Sequence, residues 1–228
     1  MSRAKRIIPH EGAMHIMCRG NNKQAILTEY QDKWMYYSLL KKYKDENSVN
    51  IYHYCILNNH VHLIIKLNPQ SHLSRFMKQV NLSYFLYYKN IYGYWGHIWQ
   101  NRFKSNLIDS DLYLLQCGKY IELNPVRAGI VRSPNMYTFS SYKYYANGKP
   151  DSILSADPLY LELSSCPKKR KALFIKYVLD HNVVCHDAFT HNRFIGSPGF
   201  ISKMEDKYNV INTKRKRGRP VEKKAAIK

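Results

Sequence analysis

Acidic residues, paired cysteines and long apolar runs are all scarce in this chain, and each shortage removes a class of function. Sixteen Asp and Glu face thirty-six Lys and Arg over 228 residues, a formal net charge of +20. Solubility needs far less, so the surplus points to a phosphate-bearing partner reached through long-range steering. No apolar run approaches the ~20 residues of a membrane-spanning helix, which excludes a helical integral membrane protein. The basic segment Met1–His10 is followed by no apolar stretch of the secretory type, so the expectation is a cytoplasmic, nucleoid-associated protein without membrane partners. Five cysteines, at 18, 55, 117, 166 and 185, are odd in number and contain no close pair, which argues against a disulfide scaffold or a zinc ribbon. His181, Cys185, His186 and His191 cluster in sequence, yet a zinc site there is a weak reading.

What is present is a folded chain, 45% hydrophobic, long enough for one good core and an appendage. Its most informative feature is His60-Val61-His62. One intervening residue on a strand points both imidazoles to the same face, half of a metal site. The β-rich run Val49–Leu57 precedes it, and Asn58-Asn59 suits a hairpin turn because Asn tolerates positive φ. The competing reading is a pair of satisfied histidines on a half-buried strand.

A second segment, Asp109 to Pro125, reads as a helix. Asp109 or Ser110 can cap it, and Pro125 biases Asn124 away from the α region and so closes it. Tyr120 and Asn124, four apart, share a face. Asn offers an amide oxygen to a hard cation, and Tyr a hydroxyl able to attack phosphorus. Equally, Tyr120 can be a core residue and Asn124 a C-cap. Tyr113, seven residues before Tyr120, lies on nearly the same face, and with 20 tyrosines in the chain spacing alone does not choose between the two.

The runs His15 to Gln24, Asn59 to His62, Trp99 to Ser105 and Lys119 to Gly129, in that order, resemble the REP-associated tyrosine transposases, a branch of the single-strand HUH (IS200-like) transposases. The resemblance covers roughly residues 5 to 145. It implies that His60 and His62 are the HUH metal ligands, that Tyr120 is the nucleophile and that Asn124 completes the metal site. Mg²⁺ or Mn²⁺ is the implied cofactor. The implied activity is cleavage and rejoining of single-stranded DNA through a 5′-phosphotyrosine link, on repetitive extragenic palindromes folded as hairpins. A monomer is expected over a dimer. Asn58 stands where the family more often has Pro, and Lys119 where it has Arg; neither change removes a ligand or the nucleophile. Candidate DNA contacts are Arg19, Asn21, Asn22, Arg102 and Lys104.

Periodicity gives a strand near Ala13–Cys18 and a helix near Tyr30–Tyr43 carrying Trp34, Tyr37, Leu40 and Lys41. The hairpin at His60, a helix over Leu73–Ile91, a strand over His97–Ile108 and the tyrosine helix follow. That order is the split βαβ arrangement of an α+β protein, helices against an antiparallel sheet. The resemblance implies the same ferredoxin-like fold with the tyrosine helix at its end. The Ser74–Lys89 stretch interleaves Lys and Arg with aromatics that could stack bases, although most of those tyrosines read as the core side of an amphipathic helix. Residues 1–145 form the expected catalytic domain and 146–211 a small helical extension. A basic tail, 212–228, follows, in which Arg217 and Arg219 of Arg-Gly-Arg-Pro could lie along a narrow minor groove or simply bind phosphate. Two other functions stay open: a repeat-DNA-binding protein without turnover, and an RNA-binding module, the latter disfavoured because its aromatic platform motif is missing.

Overall fold

The computed structural model describes residues 6–109, 111–180 and 192–212. Four strands and two helices alternate as the pattern of apolar residues requires: β1 (Gly12–Arg19), α1 (Tyr30–Glu46), β2 (Asn50–Ile56), β3 (His60–Leu67), α2 (Leu73–Tyr92) and β4 (Lys104–Ile108). The strands lie in the order β2-β3-β1-β4, each antiparallel to its neighbour. β1 and β2 are therefore the parallel arms of a split βαβ unit with β3 between them, the ferredoxin-like α+β arrangement.

Both faces of this sheet are covered, which is why β3 reads as a nearly unbroken apolar run. Met14, Ile16 and Cys18 of β1 face α1 and α2, where Asn81 Nδ2 donates to Cys18 Sγ at 3.4 Å. His15, Met17 and Arg19 alternate to the opposite face, under α3 (Asp111–Glu122). α2 buries Phe76, Met77, Val80, Tyr84 and Tyr88 and stops at Gly93, whose φ of 60° is the left-handed cap that glycine adopts without strain. α1 buries Tyr36, Leu39 and Leu40, leaving Trp34 exposed. Of the Trp34–Tyr37–Leu40–Lys41 line only Leu40 belongs to the core face, which runs through Tyr36, Leu39 and Leu40.

Other local expectations change for stated reasons. The hairpin turn at Asn58-Asn59 uses no positive φ. Its carbonyls instead accept from the β1–α1 connection, Gly20 N to Asn59 O at 2.8 Å and Leu27 N to Asn58 O at 2.9 Å. The final strand begins at Lys104, not His97. Gly96, at φ 112°, and an isolated bridge from Trp99 to Gly20 hold residues 97–103 as an irregular wall. Asp109 Oδ2 accepts from Ser197 N and Oγ, while Ser110, the other candidate cap of α3, lies outside the described residues.

After α3, α4 (Asn124–Arg127), α5 (Tyr142–Asn147), α6 (Pro158–Glu162) and α7 (Pro167–Leu179) follow. Tyr142, Tyr145, Tyr160, Phe174 and Val178 make a second small core there. The extension is not wholly helical: β5 (Phe194–Ile195) adds a fifth strand parallel to β4 and leads into α8 (Pro198–Tyr208), capped by Ser197 Oγ. No helix among the described residues is long and apolar enough to cross a membrane. The His181–His191 cluster and the tail with Arg217 and Arg219 lie outside the described residues.

Candidate active site

β3 opens with His60, and pairing with β1 puts Arg19 opposite His60 and Met17 opposite His62. The two imidazoles share the α3 face, their ring centroids 4.9 Å apart and planes at 81°. His60 Nδ1 donates to Asn59 Oδ1 at 2.5 Å, which leaves Nε2 as the acceptor. His62 Nδ1 lies 2.8 Å from Nε2 of His15, a buried histidine placed diagonally across the strand pair. With the shared proton on His62 Nδ1, the lone pair of His62 sits on Nε2. That atom is buried and has no hydrogen-bond partner among the described residues. Two imidazole nitrogens are therefore left as acceptors on one face.

The tyrosine helix crosses this face. Tyr120 meets the rings of both His62 and His15 edge-on, with centroids 5.6 and 6.0 Å away. Tyr113 is only partly buried and packs against the main core, with no ring contact to either histidine among the described residues. α3 ends at Glu122. Pro125 does not remove Asn124 from helical structure, since Asn124 and Pro125 open the separate turn α4, in which proline's missing N–H costs nothing. Asn124 Nδ2 donates to Tyr120 O at 3.1 Å. The amide thus caps the preceding turn, while its oxygen accepts nothing from the described residues. The structural reading of the pair is what the geometry shows: Tyr120 is a core residue, 2% exposed, and Asn124 serves as a cap.

Charge at the site is cationic. Arg127, on α4, stacks its guanidinium 4.5 Å from the Tyr120 ring centroid. Burial, with Arg19 nearby, pushes His60 down to about 4. Burial, then His60, His15, Arg19 and Arg127, holds His62 well below its ordinary value, so both imidazoles are neutral near pH 7. Burial pushes the Tyr120 hydroxyl up to about 12, against the pull of Arg127. The phenol is protonated at rest.

His15, Arg127 and a second buried cluster carry no assigned role in the sequence reading. In that cluster His53 of β2 donates from Nδ1 to Glu122 Oε1 at 2.8 Å and from Nε2 to Asp157 Oδ2 at 3.3 Å. Ser141 Oγ also donates to Glu122 Oε1, at 2.5 Å, and Tyr145 stacks on the imidazole at 4.6 Å. Glu122 is thus committed to His53 and Ser141 and pairs with no strand arginine among the described residues. Burial alone would lower the His53 pKa, but the two carboxylates outweigh it and raise it to about 9. A buried imidazolium consequently fastens β2, the end of the tyrosine helix and the start of α6.

Of the candidate DNA contacts, Arg19 lies beside His60 on the catalytic face. Asn21 and Arg102 line a cleft on the other face, and Asn22 occupies a left-handed turn at φ 47° beside them. Lys104 starts β4 at the surface. The five do not form one cluster.

A search of curated proteins returns no match. Among solved structures, the chain is similar to a REP-associated tyrosine transposase bound to a REP hairpin, at 22% identity and a TM-score of 0.55. The match covers 69% of this chain and 93% of that one. A proposed transposase from Deinococcus radiodurans R1 is more distant, at 16% identity and a TM-score of 0.38 over 54% of this chain and 96% of that one. The first likeness agrees with the fold derived above. Residues 10–124, running from the approach to β1 through Asn124 and spanning half of the chain, match the family described as Transposase IS200 like, and the chain belongs to that family.

Proposed function

We propose that this transposase-family chain is a single-strand DNA endonuclease and strand transferase acting on hairpin-forming repeats, as in its REP-associated branch. Tyr120 is the nucleophile in this reading, and His60, His62 and Asn124 are the metal ligands. The observation that carries it is the buried Nε2 of His62, without a hydrogen-bond partner among the described residues, on the imidazole face that Tyr120 packs against. The donor set fits a divalent ion: two neutral imidazoles and one amide oxygen, with His15 and Asn59 fixing the ring orientations from behind. The chemistry supplied by Mg²⁺ or Mn²⁺ on those ligands is polarisation of a non-bridging phosphate oxygen.

The chain's own residues do the rest. Tyr120 Oη attacks phosphorus in line, forming the Oη–P bond as the P–O3′ bond breaks. The phenolic proton passes to solvent and the departing O3′ takes one up from solvent, so the leaving group is a free 3′-OH and protons balance. A phosphodiester is exchanged for a phosphotyrosine ester, so a later 3′-OH reverses the step and joins strands without external energy. Arg127 and Arg19 supply positive charge where the phosphate must sit. Because Tyr120 is buried, entry of the scissile strand has to part α3 from the histidine face of β3. Tyr120 and His62 meet within one chain, so in this reading the site needs no residue from a second copy.

Burial of Tyr120 also favours a second reading, repeat-DNA binding without turnover. One experiment separates them: labelled single-stranded hairpins from DNA flanking the gene, incubated with and without Mn²⁺ and run on denaturing gels. The enzyme gives a metal-dependent covalent adduct that vanishes in Tyr120→Phe while hairpin binding persists. A native-gel shift with no adduct in any metal establishes the binder. An adduct surviving in Tyr120→Phe moves the nucleophile, with Tyr113 next to be tested.

A further inference from the structure

The Trp34 side of α1, which the core does not use, borders a shallow cleft of about 300 Å³ shared with the end of β2 and the region around α5. α1 supplies Tyr30, Trp34 and Tyr37, and α5 with the turn behind it supplies Tyr144, Lys143 and Lys149. The aromatic surface is held in place. Tyr37 Oη donates to Asp151 Oδ1 at 2.8 Å, and Trp34 lies almost parallel on the Tyr37 ring, with 5.2 Å between centroids and 14° between planes. Tyr30 rests edge-on against Phe139 at 5.0 Å. Trp34 and Tyr30 nevertheless stay 52% and 62% exposed, an aromatic patch that the packing of this chain does not cover. Charge around it is one-sided. Lys149 N donates to Lys143 O at 3.1 Å, which keeps the two lysines together, and neither ammonium has a hydrogen-bond or ion-pair partner among the described residues. The acidic residue among the described lining, Asp151, has both oxygens taken: Oδ1 accepts from Tyr37 Oη and Ile153 N, and Oδ2 from Tyr54 Oη at 2.8 Å.

A preformed aromatic stack that ends in an open indole face, beside two uncommitted ammonium groups, provides what a single-strand platform needs: a π-surface for a base and charge for the adjoining phosphates. A second copy of this chain would bring like charge to the lysines, since each carries a net +20. The platform also lies at the His60 end of the sheet. Ile56 N donates to Phe139 O, Leu57 N to His60 O and Leu27 N to Asn58 O, each at 2.9 Å. Phe139 and the segment leading into α1 therefore flank the hairpin turn that precedes His60. A strand crossing His60 has two arms, one leading to the hairpin and one to the free end. A cleft at the small end of the ligand-site range takes a base with its sugar and excludes a stem, so the arm it fits is the one that runs to the free end.

We propose that the Trp34 platform grips the arm of the strand that runs past the candidate active site, away from the hairpin. The inference rests on the DNA-processing reading above, and its test keeps the two separable. Fluorescence anisotropy with EDTA present follows the full chain's affinity for hairpins whose single-stranded arms are shortened one nucleotide at a time from the free end. One step of about tenfold is expected, the scale of one stacked base. It should fall beyond the phosphate joined to Tyr120, whose position is read from the size of the adduct formed in Mn²⁺. Trp34→Ala, at a solvent-exposed position, should remove that step and leave the affinity for the fully trimmed hairpin unchanged. Lys143→Gln with Lys149→Gln, which disturbs no packed ring, should shrink the step and reduce its salt dependence, and guards against a folding defect in the first variant. An abasic nucleotide at the step should reproduce the Trp34→Ala loss. The proposal is overturned if no arm length gives a step, or if the step lies on the hairpin side of the scissile phosphate. It is equally overturned if the step survives both variants, which would leave the platform to a protein partner. A chain that forms the Tyr120 adduct yet shows no step sinks the platform alone. One whose step vanishes in Trp34→Ala but that never forms an adduct sinks the nuclease and leaves the platform as a strand-binding site.

Discussion

His15 illustrates why part of the site is legible in sequence and part is not. His60 with His62, and Tyr120 with Asn124, are related by the strand and helix periods, so a reader of the chain can place each pair on one face. His15 reaches His62 only through the register of β1 on β3, a non-local fact that no spacing encodes. Arg127 reaches the Tyr120 ring only because the chain turns at Leu123 into α4. In the proposed reading His15 is a positioning residue for His62, and its loss is measurable. His15→Leu keeps apolar bulk but removes the nitrogen 2.8 Å from His62 Nδ1. Removal of a partner behind a metal-binding histidine costs about 10–100-fold in metal affinity. Calorimetric titration with Mn²⁺ should show that loss; unchanged affinity would mean that His62 is oriented without His15.

The elements that run through continuous periodic sequence, β1, α1, the β2–β3 hairpin and α2, are where apolar spacing places them. Those set by distant contacts are not: β5 is two residues long and exists because Leu107 N and Asp109 N find acceptors in Arg193 and Ile195. Likewise, no pattern announces that α3 must lie close on β2. The close approach is visible at Gly118, where an added Cβ would stand 3.0 Å from His53 Nε2 and 3.1 Å from Cε1. His53 cannot retreat, because a carboxylate holds each of its nitrogens. Gly118→Ala should therefore destabilise the protein by about 1–3 kcal/mol through overpacking, even though alanine is the better helix former. Thermal unfolding would register this as a fall of several degrees. An unchanged midpoint would mean that α3 can slide away from β2.

At the scale of the whole molecule two charge effects are separable, one external and one buried. The formal charge of +20 makes DNA binding salt-dependent, and each phosphate contact removed lowers the slope of log K against log salt by about 0.9 on duplex DNA. Replacing Arg102 and Lys104 by alanine should flatten that slope by about one to two; an unaltered slope would route the DNA elsewhere. The buried charge is the His53 imidazolium, which joins sheet, tyrosine helix and extension. Its pKa is raised from 6.5 to about 9 in the folded state. The folded protein thus holds a proton that the unfolded chain has already released between those values. The stabilisation is complete below about pH 6.5 and fades as pH climbs through about 9. The difference amounts to about 3 kcal/mol, or roughly 6–12 °C in Tm for a chain of this size. Buried tyrosines do not confuse the window. Tyr36, Tyr54, Tyr84 and Tyr145 are all pushed upward by burial, so they weaken the fold only above the ordinary tyrosine range. Melting curves between pH 6 and about 8.5, below the range where the buried thiols of Cys18, Cys55 and Cys117, pushed up by burial, add a decline of their own, should accordingly show a steady fall that starts near pH 6.5. Glu122→Gln removes one of the two charges holding the proton, so the decline should end at lower pH and be smaller. A Tm flat across the window in the unaltered chain would mean that His53 sits neutral between its two acids.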